Sequence, residues 1–513
     1  MDQRRHTLLF GLHGWTGFVL ALVLFVIMLT GALSVLSPDI QGWERADPRP
    51  SAQMALSQAY NKARAQSDES HGIEIEFFSI TLPRPSHPWI DVFLHGHAHE
   101  TADDGSEIEG PDQNIFYTVT ADGDVVEVDQ PAPLASFLVT LHTDLWLPAP
   151  WGRYLVGLIG VAFLALAVSG VLIHGHALRD MMLWRTGRSM RLFWSDAHKL
   201  VGIVGLPFHL VVGLTGTMLG LTGIFLAAIA FAAFGGDQDA AIEAVLGPQA
   251  VEQHVAAPLA ELDPVVADAA GRIEDFTPEF IFSLFPGDAG AGLAVAGEAK
   301  GRLVYLEQVR YSGPTGEFER AGLALGGTPG QRLLGAVSPL HFGAYGGTWL
   351  RGLYCLLGLV GALMAATGAS IFVDRNLARR VAQGQAVGSY GILRKLNAGL
   401  YSGAALAACG LFAAVAVADT ALPLSTLTLV ALGLMGAAIV SGFVLPRPQT
   451  ALRVQLGAAL VLLAVALAAG PGFGAPGAAL VNGLIVLLIG AGLIGLIGPL
   501  LKAGRAAVTA PAE

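Results

Sequence analysis

The sequence predicts a mostly α-helical, polytopic membrane protein with about eight transmembrane helices and two small α+β domains outside the membrane. It also predicts an internal parallel duplication of a helix–domain–helix unit. Of the 513 residues, 53% are hydrophobic and only 13% are charged, which is unlike a soluble globular protein. Several apolar runs reach the ~20 residues needed to cross a bilayer, and pairs of these runs repeat one residue pattern.

The apolar runs predict eight spans, at roughly residues 14–36, 151–173, 200–222, 350–373, 399–418, 424–445, 452–470 and 478–501. The first resembles a secretory signal peptide because Arg4 and Arg5 precede it. Its apolar run is too long, however, and no small-residue cleavage site follows, so we expect an uncleaved span.

The corresponding segments are transmembrane helices at 1–36, 141–178, 198–234 and 338–378, outer α+β domains at 37–140 and 235–337, and a four-helix membrane region at 396–513.

Charge predicts the orientation of the chain. Of the 40 acidic residues, 33 lie in segments 37–135 and 235–340, whereas the short connectors and both chain ends carry arginine and lysine. The positive-inside rule therefore places both termini in the cytoplasm and both acidic segments outside, which is the periplasm if the cell is Gram-negative. The net charge of −11 argues against nucleic-acid binding.

The only cysteines, Cys355 and Cys409, form no motif for disulfides, covalent haem or iron–sulfur clusters.

The duplication is visible in two pairs of stretches. HGWTGFVLALVLFVIMLTG begins at His13 and HKLVGIVGLPFHLVVGLTG begins at His198. LHTDLWLPAPWGRYLVGLIGVAFLALAVSG begins at Leu141 and LHFGAYGGTWLRGLYCLLGLVGALMAATG begins at Leu340. Residues 1–178 and 185–378 therefore read as two parallel copies of span, outer domain and span. Each outer domain predicts one amphipathic helix followed by several short strands. The last four spans contain no histidine and predict a scaffold or dimerisation bundle.

Histidines flank or enter the first four spans in a repeated pattern. His13 and His198 are equivalent at the inner ends of spans 1 and 3, and His142 and His341 are equivalent at the outer ends of spans 2 and 4. A pseudo-two-fold axis would bring each pair to one membrane level. That arrangement suits two imidazoles that bind one haem iron from opposite faces. The alternative is interfacial histidines that only hydrogen-bond helix ends.

Other residues keep further possibilities open. His209 lies eleven residues after His198, on nearly the same helix face, and is an alternative haem ligand, as is His174. Pro148 and Pro150 predict a break between His142 and span 2. The matching Arg153 and Arg351 could contact haem propionates or an anionic ligand, or simply anchor the helices.

Glycines near the histidines, Gly17, Gly31, Gly202 and Gly216, would admit a planar cofactor or a second helix equally well. His95, His97 and His99 alternate along a predicted strand and offer a weak metal site or a solvated polar face.

The motifs HGWTG…TG, LH…WGRYLVGL…SG and LHFGAYGGTWLRGLY…TG resemble the PepSY-associated transmembrane family, over roughly residues 5–378. That family includes iron-regulated inner-membrane proteins and ferric-siderophore reductases. The resemblance implies PepSY-like outer domains and a protein of the bacterial inner membrane with two haem b groups at His13, His142, His198 and His341. Its activity would be reduction of Fe(III) bound to a periplasmic siderophore, which releases Fe(II).

The sequence leaves the electron donor and the catalytic residues open. It contains no G-x-G-x-x-G after a strand, so a cytoplasmic reductase or a membrane quinol would supply electrons. The competing functions are non-redox transport of iron or a siderophore, and regulation by a PepSY-domain sensor.

Overall fold

The computed structural model describes residues 3–45, 47–101, 107–173, 190–299, 306–322, 329–418 and 420–508. The chain divides into two compact units. The membrane unit contains Met1–Ala46, Ala132–Leu221 and Thr348–Glu513, and the sheet unit contains Asp47–Pro131 and Thr222–Gly347. The short segments on either side of the first outer domain, within the predicted 37–140, therefore pack with the membrane unit.

The helices, numbered along the described chain, are α1 (Gln3–Ser34), α2 (Ser37–Trp43), α3 (Leu56–Ser70), α4 (Pro133–Asp144), α5 (Trp151–Ile173), α6 (Met190–Val204), α7 (Leu206–Gly220), α8 (Thr222–Ala233), α9 (Gln238–Leu246), α10 (Leu262–Arg272), α11 (Pro329–Phe342), α12 (Gly347–Ala382), α13 (Gly388–Val417), α14 (Leu424–Val444), α15 (Pro448–Ala469) and α16 (Ala478–Val508). The strands are β1 (Ile73–Thr81), β2 (Asp91–Thr101), β3 (Glu107–Val119), β4 (Val125–Val128), β5 (Phe276–Leu284), β6 (Gly292–Ala299), β7 (Leu306–Ser312) and β8 (Phe318–Ala321).

The membrane unit is built from helices that are long and apolar enough to span a bilayer. Seven helices of the described chain meet that condition, and up to nine spans result if each of two bent helix pairs counts as one. The expected span at 200–222 lies in one of these pairs, in which α6 and α7 meet at an angle of 66°. Pro207 lies in the first turn of α7. Since proline has no N–H to donate to the preceding turn, the helix bends there.

The packing of the spans follows the predicted duplication. A Cβ at Gly160 of α5 would lie 2.6 Å from Thr217 Oγ1 of α7, and one at Gly358 of α12 would lie 2.8 Å from the Cβ of Ala32 in α1. In the two repeats Gly160 corresponds to Gly358, and Thr217 corresponds to Ala32. The second span of each copy thus packs closely on the first span of the other copy, as a pseudo-two-fold arrangement requires.

The sheet unit joins the two predicted α+β domains into one antiparallel sheet of eight strands, in the order β4-β3-β2-β1-β5-β6-β7-β8. Strands β1 and β5, one from each copy, pair at the centre. The helices of the two copies, α3 and α10, cap each other's first turns. Asp263 accepts hydrogen bonds from the backbone of Leu56 and Ser57, and Ser57 Oγ accepts one from the backbone of Leu262. The predicted helices and strands of both domains are confirmed, and the two copies share one hydrophobic core.

Candidate functional site

His13 lies on α1 and contacts α5, the other span of its own copy. Its Nδ1 is 2.9 Å from Ser169 Oγ, and the Ser169 hydroxyl donates to the Leu166 carbonyl at 3.0 Å. Because that hydroxyl proton is already engaged, Ser169 Oγ accepts from His13 Nδ1–H. The ring lies against Gly170, where a Cβ would be 3.4 Å from His13 Cε1.

His198 makes the corresponding contact in the second copy. It lies on α6, and its Nδ1 donates to the Met364 carbonyl of α12 at 3.0 Å. The Thr367 hydroxyl is 3.5 Å from the same nitrogen. A Cβ at Gly368 would lie 3.0 Å from His198 Cε1, so the ring rests on a glycine here as well.

The glycine contacts of the two rings are equivalent in the repeat, whereas their hydrogen-bond acceptors differ. Ser169-Gly170 and Thr367-Gly368 stand sixteen and seventeen residues after Arg153 and Arg351, respectively. We call each of these pairs a histidine seat. In the sequence the two dipeptides end the stretches that mark the duplication, and their repetition beside a repeated histidine is the signal that indicates this role.

The hydrogen bonds of the two rings determine which ring nitrogen can bind a metal. A carbonyl oxygen can only accept, so the neutral His198 ring carries its proton on Nδ1, and the Ser169 contact gives His13 the same tautomer. Nε2 is then the nitrogen with the lone pair. Histidines that bind metals usually donate their other N–H to a protein acceptor in this way. The arrangement fits axial ligands of a haem iron.

His142 lies near the end of the short helix α4. The helix ends at Asp144 and α5 begins at Trp151, which confirms the predicted break before span 2. His142 Nδ1 donates to the Ile27 carbonyl of α1 at 2.9 Å. A Cβ at Gly31 would lie 2.6 Å from His142 Cε1, so Gly31 is required for this ring to approach α1.

His209 is only 2% exposed. Its Nε2 is 3.5 Å from the position of a Cβ at Gly361, and a Cβ there would clash with Met28 Cε. On another side its ring centroid is 5.8 Å from that of Phe163. His209 therefore contacts α5 and α12 and lies beside Met28 of α1, at the centre of the four spans, and remains an alternative ligand.

The remaining predicted ligands have different positions. His341 lies near the end of α11, in the sheet unit, with its ring centroid 5.5 Å from that of Phe342. Because His142 belongs to the membrane unit, the pairing of these two residues stays a prediction. His174 lies outside the described residues. Among the predicted glycines, Gly17 faces Leu166 and Gly202 faces Met364.

Both predicted anion-binding arginines form ion pairs with the chain's own carboxylates. Arg153 bonds Asp144 through Nε at 3.2 Å and Nη2 at 3.0 Å, and Arg351 Nη1 is 2.6 Å from Asp39. Burial alone would raise the pKa of Asp144, but Arg153 and Thr143 outweigh it and lower that pKa. At Asp39 burial outweighs the Arg351 ion pair, and the pKa is raised. A bound anion would have to compete with these carboxylates.

The histidines of β2 lie in the sheet unit. His95 Nδ1 is 3.0 Å from Asn114 Oδ1, and His97 contacts Glu74 and Glu76 at 3.8 and 3.4 Å. His99 follows a register shift in the same strand. Within the part of the chain that the structure describes, no three His, Cys, Asp or Glu side chains have the geometry of a metal site. The side chain of His99 lies outside that part, so the site at these three histidines stays a prediction.

Comparison with known proteins agrees with this architecture. The family model of the PepSY-associated TM region matches residues 10–375, which include all four spans of the duplicated unit and the sheet unit. A relative from Pseudomonas aeruginosa, "Uncharacterized protein PA4219", is 32% identical over 295 residues, which cover 54% of this chain and 73% of the relative. The chain therefore belongs to the family of membrane proteins with a PepSY-associated transmembrane region.

Proposed function

We propose that this protein is a haem b-dependent ferric-siderophore reductase of the bacterial inner membrane. The observation that supports the proposal best is the repeated histidine seat. In each copy an imidazole with its proton on Nδ1 rests on a glycine of the neighbouring span, at His13 and at His198. Two such rings, one from each copy, would hold one haem, which would supply electron transfer.

In this proposal His13 and His198 bind the inner haem, and His142 and His341 bind the outer haem. Haem iron supplies one-electron chemistry within a bilayer, where polar carriers are excluded. The chain's own residues orient the ligands: Ser169 and the Met364 carbonyl hold the Nδ1 protons of the inner pair, and the Ile27 carbonyl holds that of His142. A cytoplasmic reductase or a membrane quinol supplies electrons. A ferric siderophore in the periplasm accepts them and releases Fe(II).

A second candidate function is transport of iron or a siderophore without redox chemistry. Transporters bind substrates at broken helices near the membrane midplane, and the third span is broken at Pro207, with the buried His209 two residues later. The repeated seats favour the reductase, because transport gives no reason for the equivalent histidine in each copy to use the same tautomer. Regulation by the sheet unit is a third possibility, and no single contact favours it.

A visible spectrum of the full-length protein separates these functions. Protein purified from haem-replete cells should show a Soret band and b-type α and β bands that sharpen on reduction. Anaerobic addition of ferric chelates to the reduced protein should reoxidise it and produce Fe(II), which a colorimetric chelator detects. Protein without a Soret band would reject the reductase and favour transport or regulation.

A further inference from the structure

The last four helices pack against α2 and α4, the two short helices that lie beside the spans. One buried apolar cluster contains Ile40 and Trp43 of α2, Leu134 and Leu138 of α4, and side chains of α13 to α16, including Leu411, Leu427, Leu463 and Val481. The four-helix region therefore packs directly against α4 through this cluster.

A buried hydrogen bond fixes α2 to α16. Trp43 is 2% exposed, and its Nε1 donates to Asn482 Oδ1 at 2.9 Å. Asn482 Nδ2 in turn donates to the Pro471 carbonyl at 2.8 Å. A Cβ at Gly42 would lie 2.7 Å from the Pro476 carbonyl oxygen, so only glycine permits this approach. The C-terminal helices therefore determine where the end of α2 lies.

The next residue, Glu44, connects α2 to α4. Its carboxyl oxygens accept hydrogen bonds from the backbone N–H groups of Leu134 at 2.6 Å and Ala135 at 2.9 Å. These amides belong to the first turn of α4, where a helix has no carbonyl partners of its own. Two bonds to one carboxyl group fix both the position and the rotation of the helix at this end.

The other end of α4 carries His142. The helix has twelve residues and is about 18 Å long, so a small rotation at its first turn moves the imidazole at its last turn. The His142 ring has little freedom to adapt, because it lies on Gly31 and its Nδ1 donates to Ile27.

We propose that Glu44 is a positioning residue for His142, and that the C-terminal four helices serve to hold Glu44 in place through the Trp43–Asn482 hydrogen bond. The inference deepens the proposed function, since it gives α4 the task of presenting an outer haem ligand. It also assigns the four-helix region a role as a scaffold for that ligand.

Amide hydrogen exchange of the full-length protein in detergent tests whether Glu44 holds the first turn of α4, and it does not depend on haem. Glu44→Ala should speed exchange at the first turn of α4 about fivefold, because a lost helix cap costs about 1 kcal/mol. Glu44→Gln keeps one acceptor and should give a smaller increase, and Asn482→Ala should change exchange in the same direction. Asp237→Ala is the matched control, because it removes a carboxylate cap from α9 and should leave α4 unchanged.

The redox readout tests the consequence for His142. In Glu44→Ala the midpoint potential of one haem should shift while that of the other stays constant. Unchanged exchange in α4, or an equal shift at both haems, would overturn the inference. If the wild-type protein binds no haem, the proposed function fails. The exchange experiment still shows whether Glu44 and the C-terminal helices position α4, and Glu44→Gln keeps that test usable if Glu44→Ala does not fold.

Discussion

The two copies place equivalent histidines on equivalent glycines but give them different hydrogen-bond acceptors. His13 donates to the hydroxyl of Ser169, whereas His198 donates to the backbone carbonyl of Met364, with Thr367 farther away. A side-chain acceptor can be changed by one substitution, and a backbone acceptor cannot. The comparison shows that the ring position is common to both copies, while the acceptor differs and could tune each ligand separately.

The copies differ more strongly at the centre of the bundle. Where the first copy has Leu24, the second has His209, and where the first has Phe163, the second has Gly361. His209 contacts Phe163, and a Cβ at Gly361 would make only an ordinary contact with His209 but would clash with Met28. The large ring of one copy therefore packs on the single buried histidine, whereas the missing side chain of the other copy makes room for Met28, so the centre of the bundle is asymmetric.

The largest expected effect comes from removing a ligand. His13→Ala and His198→Ala should each abolish binding of the inner haem and leave the outer haem in place, so each variant should retain about half of the bound haem. Quantification of haem per protein by the pyridine haemochrome checks this. His254→Ala is the control, because that side chain is 82% exposed in the sheet unit. Full haem retention in both ligand variants would reject the assignment of His13 and His198.

Replacing the glycine beneath each ring with alanine should lower thermal stability by a different amount at each of the three positions. A Cβ would lie 2.6 Å from His142 at Gly31, 3.0 Å from His198 at Gly368 and 3.4 Å from His13 at Gly170. Overpacking of this kind costs about 1–3 kcal/mol, so thermal stability should fall most for Gly31→Ala and least for Gly170→Ala. Gly11→Ala should have no comparable effect, because nothing lies within 4 Å of its Cβ position. Equal losses at all three positions would show that the rings do not rest on these glycines.

Much of this arrangement could be predicted from the sequence. The repeated spacing identified the spans, the duplication, both α+β segments and the equivalent histidines, because each depends on periodicity or alignment. The contact partners could not be predicted, because these hydrogen bonds join residues far apart in the chain. Examples are the bond from His142 to the Ile27 carbonyl and the bond from the Leu134 amide to the Glu44 carboxyl group. The angle of 66° between α6 and α7 also could not be predicted, because an apolar run predicts the length of a span and not its bend.

Glu44 makes the attachment of α4 depend on pH. Burial raises its pKa from 4.5 to about 8, although the backbone amides of Ala135 and Leu134 partly oppose that shift. At pH values between 4.5 and about 8, Glu44 keeps a proton in the folded protein that it has released in the unfolded chain. Stability should therefore fall as pH rises from 4.5 to about 8, by at most about 1.4 kcal/mol per unit. Thermal unfolding in detergent across this range measures the slope. Glu44→Gln should lack this contribution, and an unchanged slope in that variant would assign it to other groups.

The smallest expected effect separates the two histidine seats. Ser169→Ala removes the acceptor of His13, whereas Thr367→Val leaves the Met364 carbonyl as the acceptor of His198. One hydrogen bond is worth about 1 kcal/mol, or about 40 mV for one electron. Spectroelectrochemical titration should therefore show a shift of that order in Ser169→Ala and a much smaller one in Thr367→Val. Equal shifts would mean that the hydroxyl acts alike in both copies.

The most direct test of the central claim is haem quantification in the double variant His13→Ala, His198→Ala, compared with each single variant. If one residue from each copy binds the same haem, removal of either ligand abolishes that site and removal of the second costs nothing more. The account therefore predicts the same haem content, about half of the wild-type value, in both single variants and in the double variant. A double variant that binds no haem, beside single variants that each retain half, would show that the two histidines bind different haems and would contradict the account.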